Sequence, residues 1–492
     1  MATSSWPRSR QRGSAACGGD APRSTSSLPT TSCTAQCDGA SASCRSATSA
    51  FRSSPPSISW SAKRSSTVPR TGSTSSRCWC ASKCSIATRS AGGSSASPVT
   101  TTLARSASTA SSTTSPTTDL ARPRKLEPVS DPTPISFARG APSLDIVDVA
   151  GLREAADRAL ADDPAGALSY GTAWGYQPLR EWIADRHQVA PEQVIVTNGS
   201  MQADAFLFDV AVSAGDGVIV ERPTYDRTLL SLRERGAVLY PVGLEDDGID
   251  IVELERELQD RITPKLAHII PNFHNPAGCT LSMPKRQRLI ELAREYEFLL
   301  FEDDPYHAIR FSGEPLPRML ELSGGDGVVY ASSFSKTVCP GVRVGYLVGS
   351  QAIIEQVRKA AVSAYISPSM IAQSIVYQFA AAGALDRSIE TVRSALRERA
   401  STLGAALRRE IPQARFVAPE GGYFLWIELP AGTDVAAAFE AAKERKLAFV
   451  KGTDFMLDGG ENTLRIAYSG VTPDQIEEGV SRLAESLAAV AG

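Results

Sequence analysis

Residues 328–348, VVYASSFSKTVCPGVRVGYLV, place a polar loop between two short apolar segments. The segments 328–335 and 343–348 have the length and the β-branched content that are typical of buried strands. Four similar segments lie upstream and alternate with longer amphipathic stretches, such as a helix expected over 283–297: residues 193–197, 217–221, 266–271 and 298–303. This alternation predicts an α/β fold, with a mostly parallel sheet covered on both faces by helices.

The C-terminal part has a different pattern. A long charged helix is expected over 388–409, followed by short strands near 422–428 and 462–468 and a last helix from Pro473. We therefore predict a large domain over residues 135–374 and a smaller α+β domain over 375–492.

The charge of the 492-residue chain is divided unevenly. Residues 1–120 hold 13 Lys and Arg side chains against three Asp and no Glu, a net charge of +10, and the remainder has −13. The first 125 residues are rich in Ser, Thr and Arg and show no helical or strand periodicity, so we predict a disordered segment. Three interpretations stay open: a transit peptide, a basic tail that attracts nucleic acid, or an artefact of a misplaced start or shifted reading frame. We expect the fold and the activity to survive removal of this segment.

The cysteines and the hydropathy of the chain bear on metal binding and on its location in the cell. Cys78, Cys80 and Cys84 match no zinc-site spacing, so no metal site is expected. After residue 125 the only cysteines are Cys279 and Cys339, which favours a reducing, cytoplasmic location without disulfides. The sequence contains no run of about 18 apolar residues, so no membrane span is expected. The overall charge of −3 gives no reason to expect a nucleic-acid partner.

Polar residues follow several predicted strands, where ligands of parallel sheets bind. Gly199 and Ser200 form a strand–turn–helix that suits either a phosphate or an ordinary helix cap. Tyr225 suits stacking on a planar ring or simple burial at a domain boundary. Asn275 lies in an Asn-Pro-Ala-Gly turn and is also a possible donor to a phenolic oxygen.

Two further strand ends bring charged groups. Asp303 is suited to hold a protonated ring nitrogen or to cap a helix. Lys336, flanked by hydroxyl residues and seven residues before Arg343, is either a solvated lysine or an amine of lowered pKa that forms an imine. Arg343 beside Ser200 gives a phosphate a bidentate partner.

The order and spacing of these motifs together are those of a known protein family. Residues 135–490 resemble the class I/II pyridoxal-phosphate aminotransferases of fold type I, and most closely the branch of 2-aminoadipate, kynurenine and aromatic aminotransferases. The resemblance implies that Lys336 forms the Schiff base with pyridoxal 5'-phosphate and later moves a proton. It also implies that Asp303 pairs with the pyridine nitrogen, that Tyr306 and Asn275 bond the ring hydroxyl oxygen, and that Tyr225 stacks on the ring. The implied phosphate-binding residues are Gly199, Ser200, Met201, Ser333, Ser335 and Arg343.

The resemblance also implies the substrate contacts and the assembly. Arg465 would hold the substrate α-carboxylate, together with Asn275, and Gly140 would lie in the segment that closes over the substrate. Tyr170 would reach the phosphate of a neighbouring subunit, so a homodimer with shared active sites is expected. The implied reaction is ping-pong transfer of an amino group from an L-amino acid to a 2-oxo acid, with 2-oxoglutarate as the expected acceptor.

Two alternatives remain open at this point. One is a MocR-type transcriptional regulator whose N-terminal winged helix has been damaged, and the other is a different pyridoxal-phosphate reaction such as a β-lyase. The choice of amino donor is also open, because Arg139 and residues 365–370 are candidates for the side-chain pocket but cannot be positioned.

Overall fold

The computed structural model describes residues 133–260 and 262–490. The expected disordered segment 1–125, and any winged helix within it, lie outside the described residues. The strands are β1 Ile135–Ser136, β2 Val194–Thr197, β3 Gly217–Arg222, β4 Val238–Glu245, β5 Gly248–Ile249, β6 Pro264–Ile269, β7 Leu299–Asp303, β8 Val328–Ser333, β9 Gly345–Val348, β10 Phe424–Glu428, β11 Leu447–Ala448, β12 Val450–Lys451 and β13 Thr463–Ala467. The helices are α1 Val149–Asp162, α2 Pro164–Leu168, α3 Gln177–His187, α4 Ser200–Ala211, α5 Asp226–Glu234, α6 Ile251–Gln259, α7 Met283–Glu295, α8 Met319–Ser323, α9 Gln351–Tyr365, α10 Met370–Ala381, α11 Ala384–Glu410, α12 Val435–Glu444 and α13 Pro473–Ala488.

An eight-stranded sheet forms the centre of the fold, in the order β2-β9-β8-β7-β6-β3-β4-β5. The five strands from β8 to β4 in this order pair in parallel, whereas β9 is antiparallel to both of its neighbours and β5 is antiparallel to β4. The predicted mostly parallel sheet is therefore confirmed.

Alternate residues of the strands enter two different hydrophobic clusters. Val218 and Val220 of β3 pack in one cluster with α4, α5 and α9, whereas Ile219 packs in the other with α3, α6 and α7. Because side chains alternate across a strand, this division means that both faces of the sheet are covered by helices. It also explains why the strands are almost continuously apolar.

Two boundaries differ from the sequence prediction for a local reason. The strand expected from Arg343 begins at Gly345, because Arg343 itself adopts a left-handed conformation with φ of 48°. The helix expected to reach Glu297 ends at Glu295, and Glu297 likewise has a positive φ of 56°. A left-handed residue interrupts the regular backbone of either element.

The C-terminal part is built on a three-stranded antiparallel sheet in the order β10-β13-β12. The 27-residue helix α11 and helix α13 contribute to its hydrophobic cluster. Strand β1 pairs in parallel with β11, which brings the segment after Ser136 to this part of the molecule. All described residues belong to one compact unit, and the domain boundary expected at residue 374 stays a prediction.

Candidate active site

The carboxyl ends of the parallel strands open into a cavity of about 770 Å³. Because β3, β6, β7 and β8 run in parallel, their last residues meet at one edge of the sheet. The cavity is lined by twelve of the residues singled out in the sequence: Gly140, Ser200, Met201, Tyr225, Asn275, Asp303, Tyr306, Ser333, Ser335, Lys336, Arg343 and Arg465. The fold thus brings residues from across more than 300 positions of the chain to one place.

Lys336 lies three residues after the end of β8, with its amino group inside the cavity. Its Nζ donates a hydrogen bond to the Gly140 carbonyl at 2.6 Å and lies 5.7 Å from the ring centre of Tyr306. Burial, and next the positive charge of Arg465, lowers the pKa of Lys336 to about 8, although Asp303 acts in the opposite direction. A sizeable fraction of this amine is therefore neutral near physiological pH, which is the form that attacks a carbonyl carbon.

The backbone around Lys336 is held from the C-terminal part of the chain. The Tyr423 hydroxyl donates to the Lys336 carbonyl at 2.7 Å, and the Ser388 hydroxyl donates to the Thr337 carbonyl at 2.6 Å. Buried hydrogen bonds of this kind fix the position of the loop and hence the direction of the amine.

Asp303 is the last residue of β7 and is buried at the floor of the cavity. Its Oδ2 lies 3.4 Å from Nε2 of His268, whereas its Oδ1 is buried and has no hydrogen-bond partner. An unpartnered buried carboxylate oxygen is costly, so such a group fits a ligand that brings its own N–H donor. The protonated ring nitrogen of pyridoxal phosphate is a donor of this type.

An anion site is formed where α4 begins. Gly199 precedes the helix with φ of 90°, and a Cβ atom built there would lie 2.4 Å from Nη2 of Arg343. The guanidinium of Arg343 therefore lies next to the residue that precedes α4, and Ser200 and Ser335 line the same cavity. Helix N–H groups, hydroxyls and a guanidinium together suit a phosphate group.

Arg465 lies on β13 and faces the same cavity. Its Nη1 donates to Oδ1 of Asn275 at 2.8 Å and its Nη2 to the Ala138 carbonyl at 2.8 Å. The guanidinium is 4.2 Å from the ring centre of Phe424 and 4.6 Å from that of Phe455. Its Nε is buried without a partner, and burial lowers the pKa of this arginine. A positive fork in an aromatic setting suits a small carboxylate.

Two tyrosines, Tyr225 and Tyr306, also line the cavity. Burial, and to a smaller extent the charge of Asp226, raises the pKa of Tyr225 to about 12. Burial also raises the pKa of Tyr306 well above its usual value, and its ring meets that of Phe424 edge to face. Both hydroxyls therefore stay protonated and can donate hydrogen bonds at neutral pH.

Some predicted residues lie elsewhere. Gly199 is beneath Arg343 but is not part of the cavity wall, and Tyr170 is outside the cavity with 87% of its surface exposed. Arg139 is exposed, and neither it nor residues 365–370 line the cavity. Their predicted roles, like those of the cavity residues, stay predictions.

The cavity also contains residues that sequence reasoning missed. Most of them are apolar or acidic, among them Asp204, Asp226, Leu230, Ile270, Phe424 and Phe455. Asp204 carried a readable signal, since it follows Ser200 by four residues and so lies on the same face of a helix. Phe424 and Phe455 carried none, because they come from distant loops and strands.

Residues 133–260 and 262–490 contain neither a metal-binding cluster nor a membrane-spanning helix. No group of three or more His, Cys, Asp or Glu side chains there is arranged to hold a metal ion. Nor does that part of the chain contain a helix long and apolar enough to cross a membrane.

Known proteins resemble this chain over nearly all of its described part. The model of the family "Aminotransferase class I and II" matches residues 132–483. The 2-aminoadipate transaminase of Thermus thermophilus is 36% identical over 358 residues, which cover 72% of this chain and 90% of that protein. The aromatic-amino-acid aminotransferase 1 of Thermococcus litoralis is 32% identical over 365 residues, which cover 72% of this chain and 88% of that protein.

A solved structure extends the likeness to three dimensions. It is the crystal structure of an α-aminoadipate aminotransferase from Thermus thermophilus, complexed with N-(5'-phosphopyridoxyl)-L-leucine. It matches with a TM-score of 0.70 and 35% sequence identity, over 73% of this chain and 92% of that one.

Proposed function

Because this chain belongs to the aminotransferase class I and II family, we propose that the cavity at the strand ends is its active site. The chain is a transaminase that depends on pyridoxal 5'-phosphate and acts on small molecules. The observation that carries the assignment of the site is the meeting of three groups in one cavity: the amine of Lys336 with its pKa lowered to about 8, the free Oδ1 of Asp303 and the guanidinium of Arg465.

Four residues are proposed to bind the ring nitrogen, the phenolic oxygen and the phosphate of the cofactor. Asp303 would accept a hydrogen bond from the protonated ring nitrogen, Tyr306 would donate to the phenolic oxygen, and Ser200 with Arg343 would bind the phosphate. When bound, pyridoxal phosphate supplies a carbonyl carbon that reacts with amines and a ring that accepts an electron pair. The free oxygen of Asp303 and the anion site at α4 fit these two ends of the molecule.

Lys336 is proposed to have two roles in turn. Its neutral amine would hold the cofactor through the carbonyl carbon, with loss of water, and the same nitrogen, once free, would take a proton from the substrate Cα and return a proton later. Its hydrogen bond to Gly140 and the fixed loop around it keep the amine on one side of the cavity. Burial makes the neutral amine available for both steps.

Arg465 and its aromatic neighbours are proposed to orient the substrate. The guanidinium would bind the α-carboxylate, aided by the amide of Asn275, which already contacts it at 2.8 Å. Phe424 and Phe455 pack on the guanidinium and exclude water, which strengthens the charged hydrogen bonds.

The choice of substrates is also a proposal. We take 2-oxoglutarate as the amino acceptor. The relatives are named for 2-aminoadipate and for aromatic amino acids, so glutamate, 2-aminoadipate and the aromatic amino acids are the first donors to test. A location in the cytoplasm is proposed as well, and the free thiols of Cys279 and Cys339 agree with a reducing compartment.

A homodimer is the proposed assembly. Tyr170 and the neighbouring Leu168 are 87% and 68% exposed, and Ile366 is 65% exposed. The backbone N–H of Gly171 donates to the Ser367 hydroxyl at 3.3 Å, so these exposed apolar side chains belong to two segments that touch. Large exposed apolar groups in one area indicate a protein interface, and Tyr170 is then available to the site of a second copy.

Replacement of the lysine tests the site. In Lys336→Ala the visible absorbance band of lysine-bound cofactor is expected to be absent and amino transfer to 2-oxoglutarate to be lost, with the circular dichroism spectrum unchanged. Lys443→Ala, an exposed lysine on α12, serves as the control and should keep both properties. Turnover retained by Lys336→Ala would contradict the proposal.

A further inference from the structure

Asp204 is a second acidic residue of the cavity, and the proposed steps do not use it. It lies on α4 four residues after Ser200, so the helical repeat places it on the same side of the helix, one turn farther from the N-terminus. It is only 7% exposed, and it lines the cavity together with Asp303.

The carboxyl group of Asp204 lacks the partners that buried acids usually have. Its Oδ1 is buried without a hydrogen-bond partner. Asp303 has a free buried Oδ1 in the same cavity. Burial, and next the charge of Asp303, raises the pKa of Asp204 well above its usual value. Two buried acids therefore influence each other, and each has an oxygen left free.

Packing of α4 does not account for an acid at this position. The neighbours Ala203, Phe206, Leu207 and Phe208 are all buried and apolar. An apolar side chain at position 204 would avoid the penalty of an unpaired buried acid. Groups with such a penalty are concentrated at functional sites, where a ligand compensates them.

We propose that Asp204 is a positioning residue that acts with Asp303: its carboxyl group adds negative potential where Asp303 holds the protonated ring nitrogen of the cofactor. The inference rests on the role proposed for Asp303. A cationic ring nitrogen favours the ionised form of Asp204 and is attracted by both carboxylates, whereas a ring without that nitrogen gains nothing from either. The second acid thus makes the cavity selective for the charged form of the ring, which is the form that accepts electrons best.

The test compares two ligands on the full-length protein freed of cofactor. One is pyridoxal phosphate, and the other is its analogue with a CH group in place of the ring nitrogen. Asp204→Asn removes the acid and keeps its size. We expect the variant to lose about tenfold of the wild-type preference for pyridoxal phosphate, as for a change of one pKa unit, while its affinity for the analogue is unchanged. Asp209→Asn, an exposed acid on the same helix, is the matched control and should keep the full preference.

The outcomes separate this inference from the proposed function. A preference that persists in Asp204→Asn, or an equal loss of affinity for both ligands, would overturn the role of Asp204 alone. If the wild-type protein itself shows no preference, the role of Asp303 fails and this inference falls with it. Should the asparagine variant not fold, Asp204→Leu replaces it in the same comparison, because leucine also removes the acid.

Discussion

Substitution of Arg465 by methionine is the most informative perturbation of the substrate site. Methionine keeps most of the side-chain volume between Phe424 and Phe455 but removes the charge and every N–H donor. The substitution also breaks two 2.8 Å hydrogen bonds, to Asn275 and to the Ala138 carbonyl. Neither of these bonds involves Asp303, Ser200 or Arg343, so the change addresses mainly the substrate carboxylate.

The expected loss follows from the contacts that the guanidinium would make. Two charge-assisted hydrogen bonds to a carboxylate contribute about 2 kcal/mol each, or about 4 kcal/mol together. Since about 1.4 kcal/mol corresponds to a factor of ten, kcat/KM for the amino acid should fall by about a thousandfold. Arg465 also lowers the pKa of Lys336, so the variant raises that pKa and leaves less neutral amine at a given pH.

The assay measures kcat/KM for an amino acid and for the matching amine that lacks the α-carboxylate. Wild-type protein should strongly prefer the amino acid, and Arg465→Met should abolish this preference. Arg415→Met, an exposed arginine of the C-terminal part, is the control and should behave as wild type. A loss below tenfold, or an equal loss for the amine, would refute the assignment of Arg465 to the carboxylate.

Three further outcomes are expected. The rate at which cofactor-free protein binds pyridoxal phosphate should rise with pH through about 8, because the neutral amine of Lys336 reacts and its pKa is lowered to about 8; a rate that stays flat until pH 10 would argue against it. Gly199→Ala should weaken cofactor binding by about tenfold, since the added Cβ meets Nη2 of Arg343 at 2.4 Å and displaces the guanidinium proposed to bind the phosphate, and losing one charge-assisted hydrogen bond costs about 1.5 kcal/mol. Gly432→Ala has a similar φ of 86° in open space and is its control; equal effects would contradict the explanation. Tyr170→Phe should keep the dimer in light scattering and weaken cofactor binding about fivefold, as for one hydrogen bond of ~1 kcal/mol; a monomeric protein would contradict the assembly.

The positions of Lys336 and Asp303 could be predicted from sequence because each follows a recognisable strand. Adjacent parallel strands must end at one edge, so residues at those ends meet whatever the connecting segments do. The glycine before α4 is likewise a local feature, which a short stretch of sequence contains. The left-handed conformation of Arg343 was not predicted, since a strand was expected to begin at that residue.

Contacts that depend on distant pairing could not be predicted in this way. Gly140 reaches the amine of Lys336 because β1 pairs with β11, more than 300 residues farther along the chain. No periodicity in a two-residue strand such as β1 indicates that partner. Asp204 was missed for a different reason. Its spacing from Ser200 suits a residue of the active site, but only its burial and the missing partner of its Oδ1 distinguish it from an acid on the surface.

The most direct test of the central claim is spectroscopic. Full-length protein is mixed with pyridoxal phosphate, the visible band of lysine-bound cofactor is recorded, and glutamate is then added. We expect the band to give way to that of the amine form of the cofactor as 2-oxoglutarate is released. The proposed function would be contradicted if no band forms, or if a band forms and neither glutamate, 2-aminoadipate nor any aromatic amino acid converts it.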